Sequence, residues 1–451
     1  MITYQDLLAV GESENKRMEF VKNLVSSHQN TDMYRTAKCA DEYARHQNRT
    51  IMQYQKLLYT LSGKAVPDNW SANYKIPSNF FNRFVTQQNL FLLGNGVTWE
   101  REDTAAKLGD DFDTRLQEAG QNALIGAVSF GFYNMDHVEV FSVLEFAPLY
   151  DEENGALMAG ARFWQLAHDK PLRATLYEID GYTDYMWEHG AGRIVNKKRP
   201  YKLKVAYTAA DGAQIYDGEN YPSFPIVPLW GNPYKQSEFI GLREQIDAYD
   251  LIKSGFANDL DDASQIYWTI SNAGGMDDID LAQFVERMKT VKAVNVDNGE
   301  QVQSHTIEMP YNAREAILDR LRKDMYRDYM ALDTDEIAAG AITATQIKAA
   351  YEPLNNKVDQ YEYCVIEFIQ GILAVAGIED NPTFTRSYML NTSEEIANLV
   401  AAGQYLEPDY VTRKILTILG DGDKAEAMLS AMSSNEINRM QMLAADGGDA
   451  E

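Results

Sequence analysis

Asp247, Asp250, Ser254, Asn258 and Asp261 recur at three- and four-residue steps, a spacing that places them along one face of a helix. Carboxylates in such a row can do two kinds of work. They can serve as acid and base at a reacting bond, or they can hold a negative potential against something anionic. A plainer reading is a solvated helix face. Ile246, Tyr249, Lys253, Phe256, Leu260 and Ala263 line another face of the same helix, so that side needs a partner. A second acidic group, Asp333, Asp335 and Glu336, sits in the small-residue run Ala331–Gln346, "ALDTDEIAAGAITATQ". With 67 Asp and Glu in the chain, proximity of acids alone is weak evidence for catalysis.

Other chemistry is hard to find. There is no GxxxxGK[ST], and "LSGKAVP" lacks the leading Gly and the following helix of a phosphate cradle. Gly94-Asn95-Gly96 follows a helical pattern where a dinucleotide site needs a strand before it. HExxH and GxSxG are absent. The six histidines, His28, His46, His137, His168, His189 and His305, are isolated in sequence. "DDIDLAQ" (Asp277–Gln283) starts like a calcium loop but lacks its Gly and terminal Glu, and reads as a helix cap. Cys39 and Cys364 are far apart and build neither a disulfide framework nor a zinc knuckle. No cofactor and no metal site is expected. Trp164, Trp187 and Trp230 could line a sugar-binding cleft, which keeps an acidic hydrolase as an alternative; packing within a core is the simpler use for them.

The elements that must position these residues follow from pattern. A chain of 451 residues exceeds one compact core, so two to four units are expected. A net charge of −26 repels nucleic-acid phosphates and acidic membranes, which excludes tight wrapping of DNA but not its passage nearby. The first twenty residues lack a signal-peptide pattern, and Tyr363–Ile378 is short for a span and carries Glu367 and Gln370, so no membrane contact is expected. Residues 14–62 read as helical, 80–96 as an amphipathic helix with Phe80, Phe84, Gln88 and Phe91 in one row, and 103–131 as another helix ending near Gly131. Residues 132–230 read as six or seven antiparallel strands. A helix over about 237–262 follows, with the helical pattern of its face reaching Trp268. Next come a small mixed segment with a hairpin at Asp297-Asn298-Gly299 and a helix over 312–332 with Asp319–Lys323 and Asp324–Arg327 spaced for pairing. A long helix interrupted by Pro353 runs to Gly377, then short polar helices and a tail, "AADGGDAE", expected to be disordered.

Two segments carry a resemblance. "KIPSNFFNRFVTQQNLFLLGNGVTW" and "FPIVPLWGNPYKQSEFIGLREQIDAYDLIKSGFANDLDD" resemble the portal proteins of tailed phages, of the kind found in the Bacillus siphophage SPP-one. The likeness runs from about residue 15 to 430 and is loose in the C-terminal third. It implies an α+β portal fold, mainly helical with an antiparallel β-rich region. The parts implied are a wing (1–235), stem helices (236–262 and 310–332) carrying a small α/β clip (263–309), a tunnel loop (333–342), a long kinked helix (343–378) and a helical crown with its tail (379–451). It further implies a homo-oligomeric ring of about twelve subunits at a capsid vertex, assembled in the host cytoplasm. Through it double-stranded DNA is driven by the terminase large subunit and later ejected. Head-completion or adaptor proteins, the major capsid protein and scaffolding protein are the other implied partners. In that setting Asp247, Asp250 and Asp261 are expected to face the bore or solvent, and Asp333, Asp335 and Glu336 to point inward from a mobile loop. Twelve helices at ~9 Å spacing make a ring roughly 35 Å across, leaving a bore of about 25 Å, wide enough for a duplex. Another capsid-associated structural protein remains a further alternative.

Overall fold

The computed structural model describes residues 2–59, 63–69, 71–101, 103–208, 214–263, 267–271, 301–305, 311–335, 344–387, 396, 399–418 and 428–429. The chain divides into two units, one of Met1–Ala331 with Asn356–Thr385, the other of Leu332–Asn355 with Arg386–Glu451.

The first unit opens with α1 (Tyr4–Val10), α2 (Glu14–Gln29), α3 (Asp32–Ala44) and α4 (Arg49–Gln53), then a small antiparallel ribbon of β1 (Leu57–Tyr59) and β2 (Ala65–Pro67). The expected single helical stretch over 14–62 is thus broken in three places, although it contains neither Gly nor Pro. Thr31 caps α3 by accepting the Tyr34 N–H at 3.2 Å. His46, at φ +61°, ends α3 in the left-handed region, and Gln47 N–H reaches back to the Glu42 carbonyl at 2.8 Å. Beyond α4 the chain turns into β1.

α5 (Phe80–Leu93) forms where its apolar row predicts, with Phe84, Gln88 and Phe91 buried. β3 (Val97–Trp99), α6 (Thr104–Leu108) and α7 (Phe112–Gly126) follow. The helix expected to reach Gly131 stops at Gly126, because Ala127 takes φ +77° and the next residues enter a central strand. Ten strands lie between Val128 and Trp230 among the described residues, more than the six or seven expected, because nearly every turn is a hairpin: β4 (Val128–Asn134), β5 (His137–Ser142), β6 (Phe146–Tyr150), β7 (Leu157–Trp164), β8 (Leu172–Glu178), β9 (Gly181–Glu188), β10 (Ala191–Arg199), β11 (Lys202–Thr208), β12 (Gln214–Glu219) and β13 (Ile226–Trp230).

β6 to β10 form a five-stranded antiparallel meander, β13-β4-β5 a three-stranded sheet, and β11-β12 a separate ribbon. Apolar alternation explains the layering. Ala161, Leu176 and Trp187 of the meander pack on Leu7, Val21 and Leu24 of α1 and α2. Arg17 of α2 is tied bidentately to Glu178 of β8 at 2.8 and 3.0 Å. From the other face, Phe146 and Tyr177 meet Phe130 and Phe132 of β4, with ring centroids 4.5 and 5.2 Å apart.

α8 (Arg243–Ala263), α9 (Tyr311–Tyr329) and α10 (Ala344–Ala376, with Pro353 inside) supply the long helices. α8 begins six residues later than expected, because Ser237 donates to the Ile125 carbonyl at 2.6 Å and holds the preceding residues in a turn. It ends at Ala263, and Tyr267 and Trp268, to which the helical reading of its face extended, lie in β14 (Tyr267–Ser271), paired antiparallel with β15 (Gln301–His305). The expected hairpin residues 297–299, the Asp277–Gln283 segment and the tail lie outside the described residues. α9 ends at a Schellman turn with Met330 at φ +63°, Ala331 N–H reaching the Tyr326 carbonyl at 2.9 Å. Its expected pairs form, Lys323–Asp319 at 2.9 Å and Arg327–Asp324 at 3.5 Å. β16 (Pro382–Phe384) pairs with β3. In the second unit, α11 (Pro408–Ile418) follows, and Arg386 donates to Asn355 at 3.0 Å.

Gly131, expected to stop a helix, instead lets α10 approach β4. A Cβ there would lie 2.5 Å from the Phe368 ring. Gly131→Ala should therefore cost about 2 kcal/mol by overpacking. A urea titration would measure it, and a loss below a few tenths would show that Phe368 moves aside freely.

Candidate functional site

α8 and α9 run antiparallel, since Arg314 meets Asp259 at 2.6 Å near one end of the pair and Gln245 meets Asp328 at 2.6 Å near the other. The polar row of α8 does not face outward along this pair. Asp250 is 0% exposed, and Ser254 and Asn258 are buried with it. What they meet is the extended segment 74–78. Ser78 N–H donates to Asp250 at 2.9 Å, Ile76 N–H to Ser254 Oγ at 3.0 Å, and Tyr74 N–H to Asn258 Oδ1 at 2.6 Å. Every second residue of the strap gives its N–H to every fourth residue of the helix.

The match is geometric. Four helical residues rise ~6 Å and two extended residues ~6.7 Å, so three rungs stay in phase. The helix face acts as a sheet edge built from side chains, and it satisfies backbone donors that would otherwise be buried alone. Pro77 has no N–H and falls at one of the positions facing away from the ladder.

One rung does more. Asp250 also accepts from the Asn48 side chain, and Asn48 Nδ2 donates in turn to the Ser78 carbonyl at 3.0 Å. His46 Nε2 lies 2.9 Å from the Pro77 carbonyl. Residues 49–77 therefore leave the scaffold and return to it at a single carboxylate. One turn away, Asp247 accepts from Tyr43 and from Thr50 Oγ1, the latter at 2.8 Å. Burial pushes the Asp250 carboxyl above the usual carboxylate range, opposed by the hydrogen bonds from Asn48 and Ser78. Burial, with the Asp247 carboxylate beside it, pushes Tyr43 up to about 12.

The expectation that Asp247 and Asp250 face a bore or solvent is thus corrected. Asp250 is enclosed and Asp247 is mostly covered, because both are acceptors for donors on the N-terminal segment; Asp261 alone of the three is exposed. Of the second acidic group, Asp335 is exposed and donates its N–H to Asp333 Oδ1 at 3.2 Å, while Glu336 lies outside the described residues. Thr334 and Asp335 are helical, not loop.

The aromatic cleft of the alternative reading is not built. Trp164 pairs with Arg173 and Trp187 with Leu172, adjacent residues of β8, so the two indoles project from opposite faces of the meander. Trp187 is buried in the core, and Trp230 belongs to another sheet. Burial lowers His28, which is hydrogen-bonded to the Val143 carbonyl at 2.7 Å, as a packing histidine. Among the described residues no group of His, Cys, Asp and Glu is arranged to hold a metal, and no helix is long and apolar enough to cross a membrane.

The two segments that meet in this ladder are the two in which the sequence resembles a family, and the family model of "Phage portal protein, SPP1 Gp6-like" matches residues 40–435. The chain belongs to the SPP1 Gp6-like phage portal proteins.

The portal protein is 31% identical over 207 residues to the portal protein of Clostridium phage phiCD119, a match covering 43% of this chain and 46% of that one. It is 22% identical over 389 residues to the portal protein of Bacillus phage SPP1, covering 78% of this chain and 74% of that one. Among solved structures it is similar to a chain in the neck of an empty gene transfer agent particle (TM-score 0.45, 9% identity, 76% of this chain and 90% of that one). It is also similar to a chain in the virion of a native gene transfer agent particle (TM-score 0.43, 11% identity, 75% and 89%). The portal protein is a structural component of a phage particle and not an enzyme.

The ladder was missed in the sequence because its donors and acceptors lie some 170 residues apart. A signal was present nonetheless: a strap with Pro between two donors alternates in step with a polar row at four-residue spacing.

Proposed function

We propose that this portal protein forms a ring of about twelve copies at one capsid vertex. The ring is the channel through which the terminase large subunit drives double-stranded DNA and through which the DNA later leaves. It is also the platform for head-completion proteins and a contact for capsid and scaffolding proteins. Membership of the family along residues 40–435 is the observation that carries this reading. The antiparallel pair α8 and α9, with the β14–β15 ribbon between them in sequence, supports their use as a stem bearing a clip. Residues 1–235 would then form the wing and 379–451 the crown. With Asp247 and Asp250 committed inward, the acidic lining is assigned to Asp261 on the stem and to Asp333, Asp335 and Glu336 at the start of the tunnel segment, which Thr334 and Asp335 enter in helical conformation. An acidic wall suits passage, because it forgoes the phosphate grip that Lys and Arg would provide.

Negative-stain imaging of the purified protein, alone and with scaffolding protein, tests the ring. Particles with a central hole and about twelvefold symmetry are expected, and a monomer under both conditions would overturn the reading. Rings lacking residues 334–340 should still assemble but retain packaged DNA poorly; unchanged retention would remove the tunnel loop from the channel.

A further inference from the structure

The excursion 49–77 departs from the overall balance of the chain. It carries four basic residues, Arg49, Lys56, Lys64 and Lys75, against one acid, Asp68, in a chain of net charge −26, and of these Arg49 is committed to Glu42 of α3 at 2.6 Å. It also exposes apolar side chains that a surface segment has no need of: Met52, Tyr54, Leu57, Leu58 and Tyr74, with Leu57 50% exposed. Lys75 Nζ donates to the Met52 carbonyl at 2.6 Å, which brings its two limbs together at this patch. Its ribbon, β1-β2, pairs with no other strand among the described residues. Its base, by contrast, is fixed: Ile51 is buried, and Asn48 and Ser78 close on Asp250.

A fixed base, a basic balance and an exposed apolar patch describe an arm that grips something acidic and partly apolar. We infer that the patch of Met52, Tyr54, Leu57, Leu58 and Tyr74 on this arm lies against the acidic surface of a second copy of this chain, the neighbour in the ring, and helps hold the two together. The inference rests on the ring reading above. Charge favours it, since every copy offers a surface rich in Asp and Glu to an arm that is nearly free of them. Double-stranded DNA is also acidic, but it offers no apolar face to Leu57, Leu58 and Tyr74.

A photo-crosslinking residue, p-benzoylphenylalanine, placed at Leu58 in the full chain tests this without disturbing the base. A second placed at Leu166, 86% exposed on the turn after β7, serves as control. In assembled rings, irradiation should join one chain to another from position 58, with the crosslink mapping to a segment rich in Asp or Glu, and not from position 166. Products within one chain only, or adducts to added duplex DNA, would overturn the inference. As a second measurement, the Leu57→Ser, Leu58→Ser chain should need at least about tenfold more protein to form rings, as expected for losing apolar contacts of this size. Rings at unchanged concentration would also overturn it. If the unaltered protein forms no rings, the ring reading itself fails, and the two failures are told apart.

Discussion

Asp250→Ala should destabilise the first unit by about 4 kcal/mol, because the Ser78 N–H and one of the two N–H groups of the Asn48 amide would be left buried without an acceptor, at roughly 1–3 kcal/mol each, with a small cavity added. Asp250→Asn should cost less, about 2 kcal/mol. It can still accept the Ser78 N–H, but its own NH2 then faces that of Asn48, which cannot turn over without setting its oxygen against the Ser78 carbonyl. The titration has a definite sign. Burial raises the folded-state pKa of Asp250 above the unfolded value of 3.8. Its contribution is therefore fully present below the unfolded pKa and lost as pH rises through the raised folded value. The stability advantage of the parent chain over Asp250→Asn should narrow as pH goes from about 4 towards 7. Urea titrations of both chains across that range would measure it. A gap that widens with pH would mean that Asp250 is better solvated than its burial indicates. Hydrogen exchange adds a spatial readout: protection at Tyr74, Ile76 and Ser78 should fall together, while the backbone of α8 stays protected.

Lys357→Met should cost about 3–5 kcal/mol, the usual result of stranding one member of a buried ion pair. Lys357 of α10 meets Glu238 at 2.6 Å, with the two side chains 16% and 12% exposed, and its ammonium lies 3.6 Å from the centroid of the Tyr329 ring at the end of α9. Burial lowers Lys357, opposed by Glu238, so the pair is held by mutual charge and not by solvent. Replacing both, Lys357→Met with Glu238→Met, should recover most of the loss, because Asn232, which also donates to Glu238, keeps the Gln236 carbonyl at 2.8 Å. Denaturation of the two single variants and the double closes the cycle. Additive losses would show that the contact is incidental and that each residue acts through separate neighbours.

How much of this could be read beforehand differs from element to element. α5 was legible because Phe84, Gln88 and Phe91 share one helical row, and the salt-bridged face of α9 because its pairs are local. The β region was legible in texture, though not in strand number, since alternation cannot tell a long strand from two joined by a tight turn. The breaks at Thr31 and His46 escaped because a side-chain cap and a left-handed histidine replace the usual Gly and Pro. Gly131 misled in the opposite way: its lack of a side chain serves the Phe368 ring and not a helix stop. The polar row of α8 was seen correctly as a row and assigned to the wrong environment. Periodicity reports which residues share a face, while only the partner decides whether that face is wet.

Because Asn48 and Ser78 bind the same carboxylate, the chain between them begins and ends at one point. Closing a loop of that kind depends weakly on what lies inside it, roughly 0.6 kcal/mol for each doubling of length. The part between the Thr50–Asp247 bond and the first ladder rung, residues 52–73, is therefore an exchangeable insert whose seam lies at the Asp250 end of the ladder. It can be shortened, extended or replaced in evolution or by design, and the helices on either side need not move to accommodate the change.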